Sequence, residues 1–488
     1  MKTNPNRRKK GTSELLRSLG PRKVYREGDR KFMASFDSSK LSFEYDALIR
    51  ARSEKDVQTT LRLANRYRIP VTTRGAGTSL TGSASPVNGG WVLDTSPMKR
   101  ILIRKEKSMA IAQPGAVIGV LQKKAEEEGL FYPPDPSSLK YCTVGGNIAC
   151  NAGGMRCAKY GVTRDFVVAL EGFLPNGEKV TWGGEYKKFA TGYNVRDLWI
   201  GSEGTLGVIT NAVLKLLPKP ESTWTSVAAF SSEKRALRAL RSMLKSGLTP
   251  SILEYLDQES VYCAEEIAGI RLFKEVGGKP LLLIEFDGSA SELRRAKRSV
   301  KKWADDWALA FKAARNENEA DNLWEVRRKC SGAMFALGKD KLNEDIVVPL
   351  ESQLKLSDEI KRLRNTWKLP MPTFGHAADG NFHVNIMFDR ADSEESSRAE
   401  GAVNDLMRTV VRLGGTISGE HGIGLAKSPF LRIARSEAEI AAMLAIKNAL
   451  DPQGILNPGK VFYPYEVWDE TPISVPLPWD KKPILKES

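Results

Sequence analysis

The three histidines of this 488-residue chain lie in two glycine-rich stretches near its C-terminal end. His376 and His383 fall in GHAADGNFHVN, and His421 follows Glu420 in GGTISGEHGIG. Two imidazoles and a carboxylate are ligands that a borderline cation such as zinc takes when a coordination position stays open for chemistry, and a further imidazole could act as a base. The alternative is that each histidine is a satisfied partner in a polar network. Their location in glycine-rich loops favours a functional site.

Strand and turn signals surround the first two histidines. The tract Ala-Asp-Gly-Asn can form a turn, and FHVNIMF alternates as a strand with His383 and Asn385 on one face. A turn between two strands can bring His376 and His383 round one point. The pattern therefore predicts a strand, a turn and a second strand as the elements that position this pair.

The wider chain predicts a globular α+β protein of two or three domains. SEKDVQTTLRLANRYRIP (53 to 70) has the pattern of a capped helix, and the β-prone segment VTTR follows it. Two prolines interrupt the pattern in LLPKPEST (216 to 223), where we predict a domain boundary. Beyond it, β-prone segments such as SILEYLD alternate with helical ones, and a last helix is predicted over 436 to 452.

The charge of the chain is +15, from 74 basic and 59 acidic residues. Such an excess could indicate nucleic acid, an anionic membrane or an acidic ligand. Only RRKK (7 to 10) forms a tight basic run, and the chain has no basic recognition helix, zinc-finger spacing or aromatic RNA-binding signature. We therefore expect no sequence-specific nucleic-acid binding, and we expect the first forty residues to be a solvated, partly disordered leader.

Cysteine usage and hydropathy bear on the compartment. The five cysteines form neither a CxxC pair nor an iron–sulfur run, so free thiols in a reducing compartment are expected. No apolar run approaches the length that spans a bilayer, and the basic N-terminus lacks the apolar stretch of a signal peptide. The sequence predicts a cytoplasmic protein, at most peripheral at the inner face of the membrane.

Three glycine-rich stretches precede the predicted boundary: RGAGTSLTG, residues 133 to 161, and residues 191 to 210. The first fails the dinucleotide fingerprint, because its third glycine is Gly82 and Pro86 falls where that fingerprint requires a helix. Successive backbone N–H groups of such a loop can still close round an anion; the alternative is a flexible hairpin loop. Three such loops indicate a large, extended ligand held mainly by backbone.

The order of TRGAGTSLTG, PPDPSS, TVGGNIA, NAGG, KYG and GSEGTLGVIT resembles the FAD-binding domain of the vanillyl-alcohol oxidase and p-cresol methylhydroxylase superfamily. The similar branch includes D-lactate dehydrogenases, the flavin subunit of glycolate oxidase and D-2-hydroxyglutarate dehydrogenase. The resemblance implies an α+β fold, with a two-subdomain PCMH-type FAD-binding domain followed by an α+β substrate domain. The corresponding division is a basic N-terminal segment (1–42), the FAD-binding domain (43–219), a C-terminal FAD-linked oxidase domain (220–464) and a C-terminal tail (465–488).

The resemblance implies FAD, whose parts correspond to separate motifs, and we expect the flavin to be bound non-covalently. No histidine precedes position 376, which excludes a histidyl link from the FAD domain, and nothing specifically favours a thioether to Cys142 or Cys157. Asn457, in the closing motif DPQGILNPGK, returns to the isoalloxazine. The resemblance assigns the pyrophosphate to Arg74, Gly75, Ala76, Gly77, Thr78, Ser79 and Gly82, the flavin to Pro134, Asp135, Pro136, Ser137, Gly145, Gly146, Asn147 and Gly154, and the adenosine side to Glu203, Gly204 and Ile209.

The histidine motifs resemble those that bind a divalent metal, zinc or manganese, in the D-2-hydroxy-acid dehydrogenases of this branch. The resemblance implies three metal ligands, a base and three substrate contacts. LWEVRRK (323 to 329) matches the segment whose arginine binds the substrate carboxylate, although a solvated helix charge is the alternative. The implied ligands are His376, His383 and Glu420, the base is His421, and the substrate contacts are Arg327, Asn385 and either Lys341 or Asn343.

The expected activity is oxidation of a D-2-hydroxy acid, of the D-lactate, glycolate or D-2-hydroxyglutarate type, to the 2-oxo acid with reduction of FAD. Because the chain has no iron–sulfur or haem motif, we expect a separate electron acceptor: a quinone, a cytochrome or an iron–sulfur protein. The alternatives are a flavin subunit active only within a complex, a non-redox transferase on the same fold, and a colourless nucleic-acid-binding protein. The oligomeric state stays open, with a homodimer as one option.

Overall fold

The computed structural model of this protein describes residues 4–186, 188–478 and 480. Helices and strands alternate along it, so the predicted α+β class is confirmed. The described chain forms two compact units. The first unit contains the residues up to Gly153, Val162–Lys219 and residues 420–478, and the second unit contains Gly154–Gly161, Pro220–Gly419 and Asp480.

The first unit holds the strands up to Pro218 and the second unit holds those from Ser222. In chain order the strands of the described residues are β1 (Val24–Tyr25), β2 (Ala47–Arg50), β3 (Val71–Arg74), β4 (Trp91–Asp94), β5 (Ile101–Arg104), β6 (Met109–Ala112), β7 (Leu130–Phe131), β8 (Val167–Phe173), β9 (Lys179–Gly183), β10 (Val208–Lys215), β11 (Leu217–Pro218), β12 (Ser222–Ala229), β13 (Ile252–Leu256), β14 (Leu281–Gly288), β15 (Ala310–Ala313), β16 (Asp340–Val347), β17 (Thr373–Gly375) and β18 (Asn381–Phe388).

The longer helices lie mainly in the second unit. In chain order the α-helices of the described residues are α1 (Pro5–Leu19), α2 (Asp29–Phe32), α3 (Glu54–Tyr67), α4 (Ile118–Glu127), α5 (Val144–Cys150), α6 (Cys157–Tyr160), α7 (Thr163–Phe166), α8 (Val195–Trp199), α9 (Glu233–Lys245), α10 (Gln258–Ala268), α11 (Ala290–Trp307), α12 (Glu317–Ala333), α13 (Gln353–Trp367), α14 (Ser393–Arg412), α15 (Leu431–Ala434) and α16 (Glu437–Leu450). None of them is both long and apolar enough to cross a bilayer.

Two larger sheets form the frame of the first unit. Strands β2, β4 and β3 are parallel neighbours, with β1 antiparallel at the edge. The other sheet is antiparallel, in the order β5-β6-β10-β8-β9. The helix predicted after Ser53 is confirmed: the Ser53 hydroxyl accepts the Asp56 N–H, and Val57 and Leu61 are buried in the core beside the first sheet.

The N-terminal segment is part of this core. Helix α1 buries Leu15, the Thr12 hydroxyl accepts the Trp91 indole N–H at 3.0 Å, and Arg8 makes an ion pair with Asp46 at 2.6 Å. The expectation of a solvated leader is therefore wrong for Pro5–Leu19. The basic residues that suggested it occupy the outer face of an amphipathic helix.

The second unit is built on one seven-stranded sheet, in the order β15-β12-β14-β13-β17-β18-β16, in which every neighbouring pair is antiparallel. Helices α10 and α12 cover one face of this sheet, and α9 and α11 pack beside β12 and β14. The predicted strands SILEYLD, LLLIEFDG and FHVNIMF and the turn after His376 are confirmed.

The units differ from the predicted linear division at the C-terminal end. Residues 420–464 pack in the first unit, because the chain returns there beside β3: the Val71 N–H donates to Ile455 O at 2.7 Å, and the Asn457 N–H donates to Val71 O at 2.8 Å. The propensities of residues 420–464 do not indicate this return, and only the resemblance, through Asn457 of the closing motif, implied it. Residues 481–488 of the predicted tail lie outside the described residues.

Candidate active site

The second unit brings His376 and His383 together at one end of its sheet. His376 directly follows β17, and His383 lies in β18 opposite Phe374 of β17. The ring centroids of the two histidines are 5.3 Å apart with their planes at 88°, and their ligand nitrogens lie within 4.8 Å of each other. Both side chains are buried. Two imidazoles at this separation can share one divalent cation.

A buried glutamate connects this pair to the predicted substrate arginine. Glu254, in β13, accepts from His376 Nδ1 at 2.5 Å with Oε1 and from Arg327 Nε at 2.5 Å with Oε2. Burial alone raises the pKa of Glu254, but the charges of His376 and Arg327 and their hydrogen bonds outweigh it and lower the pKa to about 2. Because Nδ1 of His376 faces this carboxylate, Nε2 is the nitrogen that would bind a metal.

Arg327 is therefore not the solvated helix charge that was the alternative. It extends from α12, is mostly buried, and its guanidinium carbon lies 4.7 Å from the centre of the Phe374 ring. The ion pair with Glu254 and the stacking on Phe374 fix the plane of the guanidinium. A fixed planar fork is the geometry that recognises a carboxylate.

The other predicted substrate residues are engaged in different ways. Asn385 is fully buried, and its amide donates to Pro372 O and His383 O at 3.2 and 3.1 Å. The Lys341 ammonium group donates to the carbonyl oxygen and to the hydroxyl oxygen of Ser331. Asn343 pairs with Asn385 across β16 and β18, and the side-chain oxygens of both asparagines accept no hydrogen bond within the described residues.

Asp345 fixes the chain just before Glu420. Its carboxylate accepts the Gly419 N–H at 2.8 Å and the Ser418 hydroxyl at 3.0 Å, and its other oxygen accepts from Asn381 at 2.6 Å. Asp345 lies opposite His383 in the sheet. Gly419 is the last residue of this stretch of the second unit, and Glu420 follows it in the chain.

In the first unit, the loop that carries His421 is held by Glu203. The Glu203 carboxylate accepts the N–H groups of Ile423 at 2.7 Å and Gly424 at 2.8 Å. Burial raises the pKa of Glu203, because its effect exceeds that of these two hydrogen bonds, which lower the pKa. Gly424 has φ +53°, and a Cβ there would lie 2.4 Å from Thr81 O. Thr81 belongs to the first glycine-rich stretch, so that stretch and GSEGT together shape the loop of the candidate base.

The first glycine-rich stretch offers several backbone N–H groups to an anion. Within the part of the chain that the structure describes, none of the N–H groups from Gly75 to Leu80 donates to a protein acceptor. Arg74 lies beneath the loop and donates to Phe36 O at 2.5 Å and Met33 O at 3.2 Å, and a Cβ at Gly77 (φ +76°) would lie 2.1 Å from its guanidinium. These residues fit a pyrophosphate held by backbone N–H groups, with Arg74 supporting the loop.

The remaining predicted cofactor residues lie on several elements. Gly145, Gly146 and Asn147 lie in the first turn of α5, where the sequence suggested a loop. Pro134, Asp135 and Ser137 follow β7, Ile209 lies in β10, and Gly204 follows Glu203 with φ +71°. Gly154 begins the short segment that belongs to the second unit.

Asn457 joins separate segments of the first unit through its side chain. Its amide donates to Glu203 O at 2.7 Å and Ser83 O at 2.9 Å, and its side-chain oxygen accepts from Lys460 at 2.6 Å. Burial lowers the pKa of Lys460 to about 7, although the charges of Asp37 and Glu203 oppose this shift. The closing motif therefore ties the two glycine-rich stretches together.

Comparison with known proteins identifies the family. Residues 45–183 match the family described as FAD binding domain, and residues 219–461 match FAD linked oxidases, C-terminal domain. The chain is 37% identical over 454 residues to the glycolate oxidase subunit GlcD of Bacillus subtilis (strain 168), covering 92% of this chain and 96% of that protein. This chain belongs to the FAD-linked oxidase family.

This FAD-linked oxidase is also 35% identical over 433 residues to the D-lactate dehydrogenase of Anaerostipes hadrus, covering 86% and 90% of the two chains. Its fold resembles that of p-cresol methylhydroxylase, with a TM-score of 0.78, 17% identity, and coverage of 95% and 98%. The resemblance inferred from the motifs is confirmed: the protein is an FAD-dependent oxidoreductase. An oxidoreductase of this kind acts on a small substrate and passes electrons to an acceptor.

Glu254, Asp345 and Lys460 escaped the sequence analysis. For Glu254 a signal existed, because it is the single carboxylate within the apolar stretch ILEYL, and a charge buried in a strand needs a partner. Asp345 directly follows Glu344 in a polar stretch, and Lys460 is the last residue of the closing motif, so neither carried a comparable signal.

Proposed function

We propose that this FAD-linked oxidase oxidises a D-2-hydroxy acid, of the D-lactate, glycolate or D-2-hydroxyglutarate type, to the corresponding 2-oxo acid. The observation that carries the proposal is the buried group of His376, His383, Glu254 and Arg327 in the second unit. It combines two metal-binding imidazoles with a cation of fixed orientation, which is what a ligand with neighbouring hydroxyl and carboxylate groups requires. The names of the similar glycolate oxidase subunit and D-lactate dehydrogenase support the same substrate class.

Each residue of this group has a separate task in the proposal. Arg327 binds the substrate carboxylate, and Glu254 holds Arg327 and His376 in position. His376, His383 and Glu420 hold a divalent metal, zinc or manganese, which supplies Lewis acidity toward the substrate hydroxyl. The connection of Glu420 to Gly419, itself fixed by Asp345, supports its inclusion.

His421 is proposed as the base that takes the proton of the substrate hydroxyl. Its loop is fixed by Glu203 and Thr81, so the imidazole belongs to a rigid backbone segment. The glycine-rich stretches of the first unit would hold FAD non-covalently, and FAD would supply the acceptor for the hydride of the substrate Cα. Loss of the proton from the hydroxyl oxygen and of the hydride from Cα converts the alcohol to the carbonyl of the 2-oxo acid, and the hydride carries both electrons to the acceptor.

The visible spectrum of the purified protein under anaerobic conditions tests this proposal. We expect a yellow protein whose flavin absorbance bleaches rapidly with one of D-lactate, glycolate or D-2-hydroxyglutarate, and much more slowly with the L-enantiomer where one exists. A yellow protein that none of these acids bleaches would contradict the substrate class and favour another reaction on the same fold. A protein that neither carries nor takes up FAD would contradict the cofactor assignment as well.

A second candidate is that the chain acts as the flavin subunit of a multi-component oxidase. The similarity to a protein named as a glycolate oxidase subunit favours it. In that case the purified chain would be bleached by substrate but would not pass its electrons to a soluble quinone analogue, a cytochrome or an artificial acceptor unless an additional subunit were present. Turnover of the isolated chain with one of these acceptors would contradict the subunit hypothesis.

A further inference from the structure

The positive charge of the protein is concentrated on two neighbouring helices of the second unit. Helix α9 carries five basic residues and one acid, and α11 carries six basic residues and three acids. Together they hold a net charge of +7, nearly half of the +15 of the whole chain. The two helices are in contact, because Trp303 of α11 donates its indole N–H to Ala239 O of α9 at 3.0 Å.

The basic side chains point away from the sheet. The apolar residues of both helices, such as Leu240 and Trp303, are buried against it, whereas Arg238, Lys245 and all six basic residues of α11 are exposed. The hydrophobic faces are therefore already covered within the second unit. What these helices offer to a partner is charge rather than an apolar stripe.

An open groove of about 470 Å³ runs along α9. It is lined by Arg238, Arg241, Lys245, Ser242, Ser246 and Trp307. The three cations follow one another at helical spacing, and in the described part of the chain no carboxylate lies within ion-pair distance of them. Three unneutralised cations beside hydroxyl groups have the chemistry that binds phosphate.

The apolar residues beside the groove favour a phospholipid headgroup over a small soluble phosphate or a nucleic acid. Trp307 stacks with Arg235, whose guanidinium carbon lies 4.9 Å from the indole centre, and Leu309, two residues further on, is 51% exposed. Apolar side chains beside a broad basic surface suit a headgroup with its lipid attached better than a small soluble phosphate. With a single aromatic residue in the groove, stacking of successive nucleic-acid bases has no platform here.

We propose that the groove of α9 and the exposed basic face of α11 form a docking surface for anionic phospholipid headgroups. Each basic residue near such a surface strengthens binding several-fold, and the effect weakens with salt. The surface would bring the enzyme to the bilayer, where a quinone acceptor dissolves. This use rests on the proposed oxidation, whereas the binding itself does not.

Vesicle sedimentation with the full-length, FAD-loaded protein tests the surface without turnover. The probes are vesicles of phosphatidylcholine alone and of equal parts phosphatidylcholine and phosphatidylglycerol. The variant is Arg238→Gln/Arg241→Gln/Lys245→Gln. The matched control is Lys99→Gln/Lys123→Gln/Lys124→Gln, which removes the same charge from exposed positions of the first unit.

We expect the wild type and the control variant to bind the anionic vesicles at low salt, the α9 variant to lose affinity of the order of a hundredfold, and the neutral vesicles to bind none of the three. Equal loss in the two variants would overturn the proposal, because net charge alone would then explain binding. It would also be overturned if the wild type ignored anionic vesicles, or if inorganic phosphate, a DNA duplex or an acidic protein bound the groove while vesicles did not. Because no substrate is used, failure of the proposed oxidation would leave this result unaffected.

Discussion

The carboxylate of Glu254 lies 2.5 Å from Nδ1 of His376 and, through its other oxygen, 2.5 Å from Nε of Arg327. One buried group thus orients both the imidazole proposed to bind metal and the guanidinium proposed to bind substrate. Its carboxylate stays ionised because the two partners lower its pKa to about 2. Mutation of a residue that hydrogen-bonds to a metal ligand commonly lowers metal affinity or activity by one to two orders of magnitude.

Replacement of this carboxylate by an amide should weaken metal binding and substrate binding together. Glu254→Gln keeps the size of the side chain but leaves one oxygen for two donors, so we expect metal affinity to fall by about 10- to 100-fold and KM to rise. Titration calorimetry with Mn²⁺ on metal-depleted protein measures the first effect directly. The control is Glu285→Gln on the neighbouring strand β14, where the buried carboxylate accepts from Thr225 and Trp324. Unchanged metal affinity in Glu254→Gln would contradict this orienting role.

Removal of the metal should stop flavin reduction and leave the flavin in place. Two of the three proposed ligands, His376 and His383, lie in the second unit, whereas the glycine-rich stretch proposed to hold the pyrophosphate lies in the first, so we expect a chelator to leave FAD bound. We expect slow or absent bleaching by substrate after dialysis against a chelator, with recovery on adding Zn²⁺ or Mn²⁺. The oxidised flavin spectrum serves as the internal control. Full bleaching by a protein whose metal content is undetectable would remove the metal from the mechanism.

Loss of the proposed base should slow the same step without affecting either cofactor. For His421→Ala we expect flavin reduction to fall by about 10²- to 10⁴-fold, the range of a missing general base, with FAD content and metal content unchanged. Rapid mixing under anaerobic conditions measures the rate. Reduction at the wild-type rate would assign the base to another group.

The backbone support of that base can be tested separately. Glu203→Gln can accept only one of the N–H groups of Ile423 and Gly424, and an unpaired buried N–H costs about 1–3 kcal/mol. We expect kcat to fall at least tenfold, with a smaller change in KM and with FAD still bound. The exposed Glu178 provides the control, since Glu178→Gln should behave as wild type. Loss of FAD from Glu203→Gln at unchanged kcat per bound flavin would instead indicate a role in cofactor binding.

The sequence predicted elements whose pattern is local. Helix α3 and strands β13, β14 and β18 have periodic apolar residues and clear end signals, and they form as expected. The proximity of His376 and His383 was equally predictable, because only a short turn and the start of a strand separate them. Residue type and short spacing were sufficient in these cases.

What the sequence could not predict depends on packing between distant segments. Glu254 meets Arg327 and His376 across 73 and 122 positions, and no local pattern encodes that meeting. The basic residues of α1 suggested a solvated segment, although α1 is a packed helix whose Leu15 is fully buried. The glycines at the start of α5 suggested a loop because glycine is unfavourable in helices, but a turn that must approach other backbone closely can require it.

A buried carboxyl group just after β13 should make stability depend on pH. Asp257 caps α10 by accepting the Ser260 N–H at 2.8 Å, and its other oxygen accepts the Thr373 N–H at 2.8 Å. Burial raises its pKa to about 7, although Ser260 and the charge of Arg364 favour the ionised form. The folded protein therefore holds this proton more tightly than the unfolded chain, so the contribution of Asp257 to stability is present at low pH and declines as the pH rises toward and through 7.

The midpoint of urea unfolding, measured between acidic and mildly alkaline pH, checks this sign. Asp257→Asn keeps the cap but turns an amide N–H₂ toward Thr373, so we expect a loss of about 1–3 kcal/mol that does not vary with pH. The difference between wild type and Asp257→Asn should therefore shrink as the pH rises. Asp392→Asn, at the exposed cap of α14, should run parallel to wild type over the same range. A wild-type curve parallel to that of Asp257→Asn would mean that Asp257 is ionised throughout, and that Arg364 and the two backbone N–H groups outweigh its burial.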